Sequence, residues 1–189
     1  MAHEEMIYGI MESLVIADKH VIGDLMVHKE IYPKEGPSKV NNSYKGLNTL
    51  VDAGRLIKGD GYFKLPDCKS EYKEHAQLLT KALAEILKLN YQTKILREPT
   101  LKDVGLRPDA IVFLTNGDKG LCFILEVCNN ETPEYLMQKI HTWEHWNEAK
   151  ENLSTLFNDL IKQYDIVVAS EEVPNGAFEC NSYLETLRR

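Results

Sequence analysis

Asp109 and Glu126 are the residues whose types and spacing point most directly to chemistry. Pro108-Asp109 leads into the run Ala110-Ile111-Val112-Phe113-Leu114, and Leu121-Cys122-Phe123-Ile124-Leu125 leads into Glu126. Both runs are short and rich in β-branched or aromatic residues, and Asn116-Gly117-Asp118-Lys119-Gly120 between them has the composition of a hairpin turn. In an antiparallel hairpin the residue that opens the first strand and the residue that closes the second meet at one edge. Two convergent carboxylates are what a hard divalent cation such as Mg2+ or Mn2+ takes from a protein, with water and phosphate completing its shell. An aspartate and a glutamate that merely solvate a hairpin would show the same pattern, so the elements around them carry weight.

Downstream, Pro133 is placed to open a helix whose apolar stripe is Tyr135, Leu136, Ile140, Trp143 and Leu153, which leaves Lys139 close to the hairpin end. Upstream, His75, Leu78, Leu79, Leu83, Ile86 and Leu87 have helical periodicity, with His75 near the start. Asn90 to Arg97 reads as a strand, Asp165 to Ala169 as a buried strand, and the tail after Glu171 as a loop with a last short element. The expectation is an α/β domain over residues 71–189. His75 is a candidate third metal ligand, although a lone helical histidine is more often a surface or core residue. Glu85 suits either an extra site carboxylate or an exposed helix face. His141 and His145 stand four apart, a zinc-binding spacing, but no third ligand is evident, and Trp143 and Trp146 mark a packing helix. Arg97 and Arg107 are better placed for phosphate contacts than for catalysis.

Residues 1–66 read as helix, helix, helix, hairpin. Met6, Ile7, Ile10, Met11 and Leu14 recur at helical spacing, and a second helix over Val21 to Tyr32 carries Ile22, Leu25, Met26 and Ile31. Pro33 to Pro37 breaks the chain. A third helix begins at Ser38, buries Val40, Tyr44, Leu47, Leu50 and Val51, and stops at Gly54. Leu56 to Lys58 and Tyr62 to Leu65 flank the turn Gly59-Asp60-Gly61. Residues 67–70 are polar and read as the linker between the two domains.

This order resembles the winged helix-turn-helix. On that likeness the third helix offers Lys39, Asn41, Asn42, Ser43, Lys45, Asn48 and Thr49 to a major groove, where Asn pairs with adenine and Lys reaches phosphate or guanine. Arg55, Lys58 and Lys64 would hold phosphates beside it. A winged helix used for protein docking would leave the same residues solvated.

The second domain, with Pro-Asp and Glu on its strands, resembles the PD-(D/E)xK restriction-endonuclease-like superfamily. The lysine usual two places after the Glu is Cys128 here, and the resemblance implies that Lys139 supplies that charge from the following helix. More closely, the chain is similar to the replication-relaxation family of plasmid and mobile-element proteins. The carrying residues are His75, Arg107 to Ala110, Leu125 to Val127, Asn130-Glu131-Thr132 and Lys139. That likeness implies a restriction-endonuclease-like mixed sheet flanked by helices. It also implies a site with Asp109, Glu126 and Lys139 as catalytic residues, and with His75, Asp109 and Glu126 as Mg2+ or Mn2+ ligands.

The implied function is double-stranded DNA binding in replication or relaxation of a plasmid, phage or other mobile element, with a domain that nicks or cleaves. The alternative is a noncatalytic accessory whose nuclease-like domain serves dimerisation or DNA clamping. Expected partners are DNA, a second copy of the chain, and replication or relaxase proteins. A net charge of -7 over 189 residues argues against nonspecific nucleic-acid binding but leaves room for a local basic face. Cys68, Cys122, Cys128 and Cys180 form no C-x-x-C pair and read as reduced thiols. No apolar stretch has transmembrane length and no signal peptide is evident, so the expectation is a cytoplasmic protein without a membrane partner.

Overall fold

Ile7, Ile10, Met11 and Leu14 are buried at helical spacing on α1 (His3–Leu14), which ends where Val15 turns to a positive φ of 65°. The computed structural model describes residues 3–32, 38–101, 107–117, 119–129, 131–148, 164–170 and 176–188. The sequence positions Asn130 and Leu153, the Pro33 to Pro37 break and the tail at Glu171 lie outside the described residues. Two compact units divide between Lys88 and Leu89.

In the first unit, α1 is followed by β1 (Ile16–Ala17) and α2 (Lys19–His28). Asp18 Oδ1 caps α2 by accepting the N–H groups of His20 and Val21 at 2.7 and 3.0 Å. The helix stops at His28, four residues before the expected Tyr32. Glu30 turns left-handed at φ 59°, and the N–H groups of Ile31 and Tyr32 fold back onto Met26 O.

The third helix, α3 (Ser38–Asp52), buries Ser43, Gly46, Leu47 and Leu50. This stripe differs from the expected one: Val40 and Val51 are half-buried and Tyr44 is exposed. Small residues explain the rotation. A Cβ on Gly46 would stand 2.5 Å from Ile7 Cδ1, and one on Gly23 of α2 would stand 3.3 Å from Ser43 Oγ, so both helices approach α3 over side chains that leave room. Gly54, at φ 71°, ends the helix as expected.

The hairpin β2 (Ile57–Lys58) and β3 (Phe63–Lys64) joins β1 in an antiparallel sheet of order β1-β3-β2. This is the helix, helix, helix and hairpin order expected, with one additional short strand. The polar stretch over 67–70 and its continuation are tied to this unit: Lys64 Nζ donates to Ser70 O and the Tyr72 hydroxyl to Asp18 Oδ2. Beyond them α4 (Glu74–Leu87) buries Leu79, Leu83 and Ile86, and Thr80 Oγ1 donates to Ile16 O at 2.9 Å. The division between units therefore falls after α4 and not at 67–70.

The second unit is a mixed sheet of order β4-β5-β6-β7-β8. Its strands are β4 (Gln92–Arg97), β5 (Ala110–Asn116), β6 (Lys119–Val127), β7 (Asp165–Ala169) and β8 (Phe178–Glu179). The first three pair antiparallel and the last three parallel. Period-two alternation sends Ile111, Cys122, Ile124, Ile166 and Val168 to one face, where α5 (Pro133–Glu148) covers them with Leu136, Ile140 and Trp143. Tyr135, expected in that stripe, is instead 52% exposed. Toward the opposite face, α6 (Cys180–Leu187) sets Tyr183 edge-on to Phe123. The fold is α/β, as expected.

Candidate functional site

The β5–β6 register pairs Ala110 with Leu125, so Asp109 and Glu126, one step further along each strand, come to the same edge. Glu126 is also paired with Val168 of β7, which places it inside the sheet with its side chain on the α5 face. The backbone before Asp109 is fixed by neighbours: Glu98 N–H donates to Asp109 O at 2.8 Å, and Arg107 binds Glu98 through Nε to its carbonyl and through its guanidinium to Oε1. Arg107 thus holds the entry to the strand, with Glu98 as its partner.

Each described partner of Glu126 arrives from one helix. Lys139 Nζ donates to Glu126 Oε2 at 2.8 Å and Trp143 Nε1 to Oε1 at 2.7 Å. Lys139 and Trp143 are four apart on α5, one helical turn, and therefore reach the same carboxylate. Asp109 Oδ2 accepts the Val127 N–H at 2.7 Å. Asp109 is 8% exposed and Glu126 fully buried. Burial, and then the charge of Asp109, raises the Glu126 carboxyl toward neutrality against the lowering pull of Lys139 and Trp143. Burial would lower Lys139, but the charge and hydrogen bond of Glu126, joined by Asp109 and Glu131, raise it. Lys139 and Glu126 are thus a buried, hydrogen-bonded pair, with Glu131 Oε1 a second carboxylate oxygen 3.7 Å from the ammonium.

These donors suit a hard cation in kind, since both are carboxylates. They do not fit one in arrangement. Both oxygens of Glu126 accept hydrogen bonds from α5, one oxygen of Asp109 is held by backbone, and an ammonium already neutralises Glu126. Among the described residues no group of three or more His, Cys, Asp or Glu is placed to hold a metal ion.

Lys139 therefore meets Glu126 as the sequence leads one to expect, and Asp109 lies at the same edge. His75 belongs to the first unit, at the start of α4. Cys128 does not replace the usual lysine. Burial, with Glu131 accepting from its Sγ at 3.5 Å, pushes the thiol up to about 11, so it stays protonated. Glu85 pairs with Lys88 at 2.5 Å. His141 contacts Glu144 and is exposed, as is His145. The residue that sequence reasoning assigned only to packing is Trp143, which is both fully buried and a donor to Glu126. Its spacing of four from Lys139 was the available signal.

In the first unit, α3 exposes Asn41, Asn42, Lys45 and Thr49 opposite its buried stripe. Ser43 does not belong to this face: it is fully buried and donates to Lys39 O, because Gly23 of α2 packs over it. Lys39 is paired with Asp24 at 2.6 Å. Arg55 grips Glu5 through two nitrogens and stacks 3.7 Å over Tyr8, so its guanidinium is engaged within the unit. Lys64 donates to Ser70 O, while Lys58 is exposed and reaches back to α3. Twelve of the 22 basic and thirteen of the 29 acidic residues lie in Met1–Lys88, so this unit is nearly neutral and the excess negative charge sits in the second.

No family model and no curated protein matches this sequence. Among solved structures the restriction endonuclease FokI is similar over 98% of this chain and 40% of its own, at 14% identity and a TM-score of 0.31. At that score the fold stands on the sheet order and helix placement described above. No helix among the described residues is long and apolar enough to cross a membrane.

Proposed function

We propose that the protein binds duplex DNA through α3 and the adjoining hairpin, and that its second unit is a nuclease-like frame serving as a DNA clamp or dimerisation module. The observation that carries DNA binding is the row Asn41, Asn42, Lys45 and Thr49, exposed on the helix whose other side is buried by Ser43, Gly46, Leu47 and Leu50. Asn and Lys are side chains that read base edges and phosphates in a major groove. The helix, helix, helix, hairpin order around α3 resembles that of a winged helix, and this likeness supports such a use of the helix. A place in replication, relaxation or transfer of a mobile element rests on the family resemblance of the sequence motifs.

The noncatalytic assignment of the second unit rests on Glu126, whose two oxygens are held by Lys139 and Trp143 in a buried pair. A second reading has one observation in its favour: an Asp, a Glu and a Lys from three elements converge on one edge, the residue types of the PD-(D/E)xK site. On that reading the second unit nicks the DNA that the first holds, with Mg2+ or Mn2+ as cofactor.

Supercoiled plasmid incubated with the protein and Mn2+, beside Asp109→Ala, tests both. A retarded plasmid that stays supercoiled with wild type and variant supports the clamp. Nicking by wild type that Asp109→Ala abolishes supports cleavage, and absence of any retardation overturns DNA binding.

A further inference from the structure

Tyr44 has the spacing of a core residue on α3, yet it is 39% exposed and two lysines converge on it. Lys58 Nζ donates to the Tyr44 hydroxyl oxygen at 2.8 Å and to Asn48 Oδ1 at 3.2 Å. The Lys58 ammonium stands 4.9 Å from the Tyr44 ring centroid and that of Lys19, the first residue of α2, stands 5.2 Å from it. Among the described residues neither lysine is paired with a carboxylate. Two ammoniums gathered around one exposed ring make a local positive field that favours an anion beside the phenol.

The hydrogen-bond direction matters. Because the Lys58 ammonium donates its hydrogen bond to the phenol oxygen, the Tyr44 O–H keeps its own donor capacity. The bond from Lys58, then Asn48 and the lysine charges, hold the Tyr44 phenol below its ordinary value, which makes that O–H a stronger donor. Asn48 is occupied on both sides, accepting from Lys58 and donating to Tyr44 O at 2.7 Å, and so fixes the geometry without offering itself to a ligand. The Tyr44 ring is braced edge-on against buried Phe63 at 6.1 Å.

We propose that Lys19, Tyr44 and Lys58 form a clamp for one phosphate of the DNA backbone, two ammoniums flanking a phenol O–H that donates to a phosphate oxygen. The clamp rests on the DNA-binding reading and adds to it: α3 would read bases with Asn41, Asn42 and Lys45, while Tyr44 sets the register by holding the backbone.

Equilibrium binding of a fluorescent duplex to the full chain, measured across a salt series, tests it with Tyr44→Phe, Lys19→Ala and Asn42→Ala. Tyr44→Phe keeps the ring and should weaken binding about tenfold on every duplex alike, with little change in salt slope. Lys19→Ala should flatten the slope by about one unit for the phosphate contact it removes. Inorganic phosphate at matched ionic strength should not displace the duplex, since the clamp grips a backbone already held elsewhere. Wild-type affinity and slope in both Tyr44→Phe and Lys19→Ala, with Asn42→Ala weakened, would overturn the clamp and leave the DNA-binding reading intact. Absence of binding by the wild-type chain would overturn both.

Discussion

Lys139→Met tests the buried pair more sharply than any other substitution. It leaves the aliphatic stem nearly unchanged and removes one charge from a carboxylate that is fully buried, with Lys139 itself only 13% exposed. Breaking a buried pair from one side costs about 3 to 5 kcal/mol, most of it the charge left without a counter-ion. That origin gives the cost a pH signature. Burial and Asp109 raise the Glu126 carboxyl from 4.5 to about 7 in the native protein, so between those values the native state holds more protons than the unfolded chain. The stability this contributes is fully present below 4.5 and is lost as pH rises through about 7. Without Lys139 the main lowering influence goes and only the Trp143 hydrogen bond remains, so the native carboxyl rises further and the window widens upward. Urea unfolding of wild type and variant should therefore differ most near about pH 8 and much less near about pH 5, where the variant's Glu126 takes up a proton. Glu126→Gln in the Lys139→Met background should recover most of the loss near pH 8, because a neutral amide still accepts from Trp143. A cost that is the same at both pH values, or no recovery in the double variant, would mean that lost packing and not an unpaired charge dominates.

Trp143→Phe should retain most of the packing against Ile124 and Ile166 but lose a hydrogen bond to a charged group, costing about 1.5 to 3 kcal/mol in the urea midpoint. Lys139→Ala should make thermal unfolding respond to Mn2+ where wild type responds little, since Asp109 and Glu126 are then left without the ammonium; equal responses in the two would show that Lys139 does not occupy the cation's place. Asn42→Ala and Lys45→Ala should each weaken binding to a preferred duplex by about 1 to 3 kcal/mol per lost base contact, read by gel shift with circular dichroism as the folding control.

The carboxylate edge was legible because strand periodicity has no slack: once Ala110 to Leu114 and Leu121 to Leu125 are paired through a short turn, Asp109 and Glu126 must meet. Helix faces are less strictly encoded. Apolar periodicity drew Tyr44 into the core of α3, whereas the buried stripe runs through Ser43 and Gly46, small residues that count for little in a hydrophobic pattern and yet decide how near α1 and α2 come. The two-residue β1 is too short to leave a period. The polar stretch over 67–70 has linker composition, but composition does not reveal that Tyr72 and Thr80 bond back to Asp18 and Ile16. Trp143 looked like core and is core; that its indole N–H also holds Glu126 is a matter of three-dimensional aim that spacing can suggest but not fix.

The proposed role of the first unit is to read duplex DNA with the exposed face of α3. Fluorescence anisotropy of a preferred duplex and a scrambled one, titrated with wild type and with the Asn42→Ala, Lys45→Ala double variant, tests this role. Wild type should bind the preferred duplex more tightly, and the double variant should lose that preference while staying folded and keeping salt-sensitive binding to both duplexes. A folded double variant that discriminates between the duplexes as wild type does would refute base reading by α3.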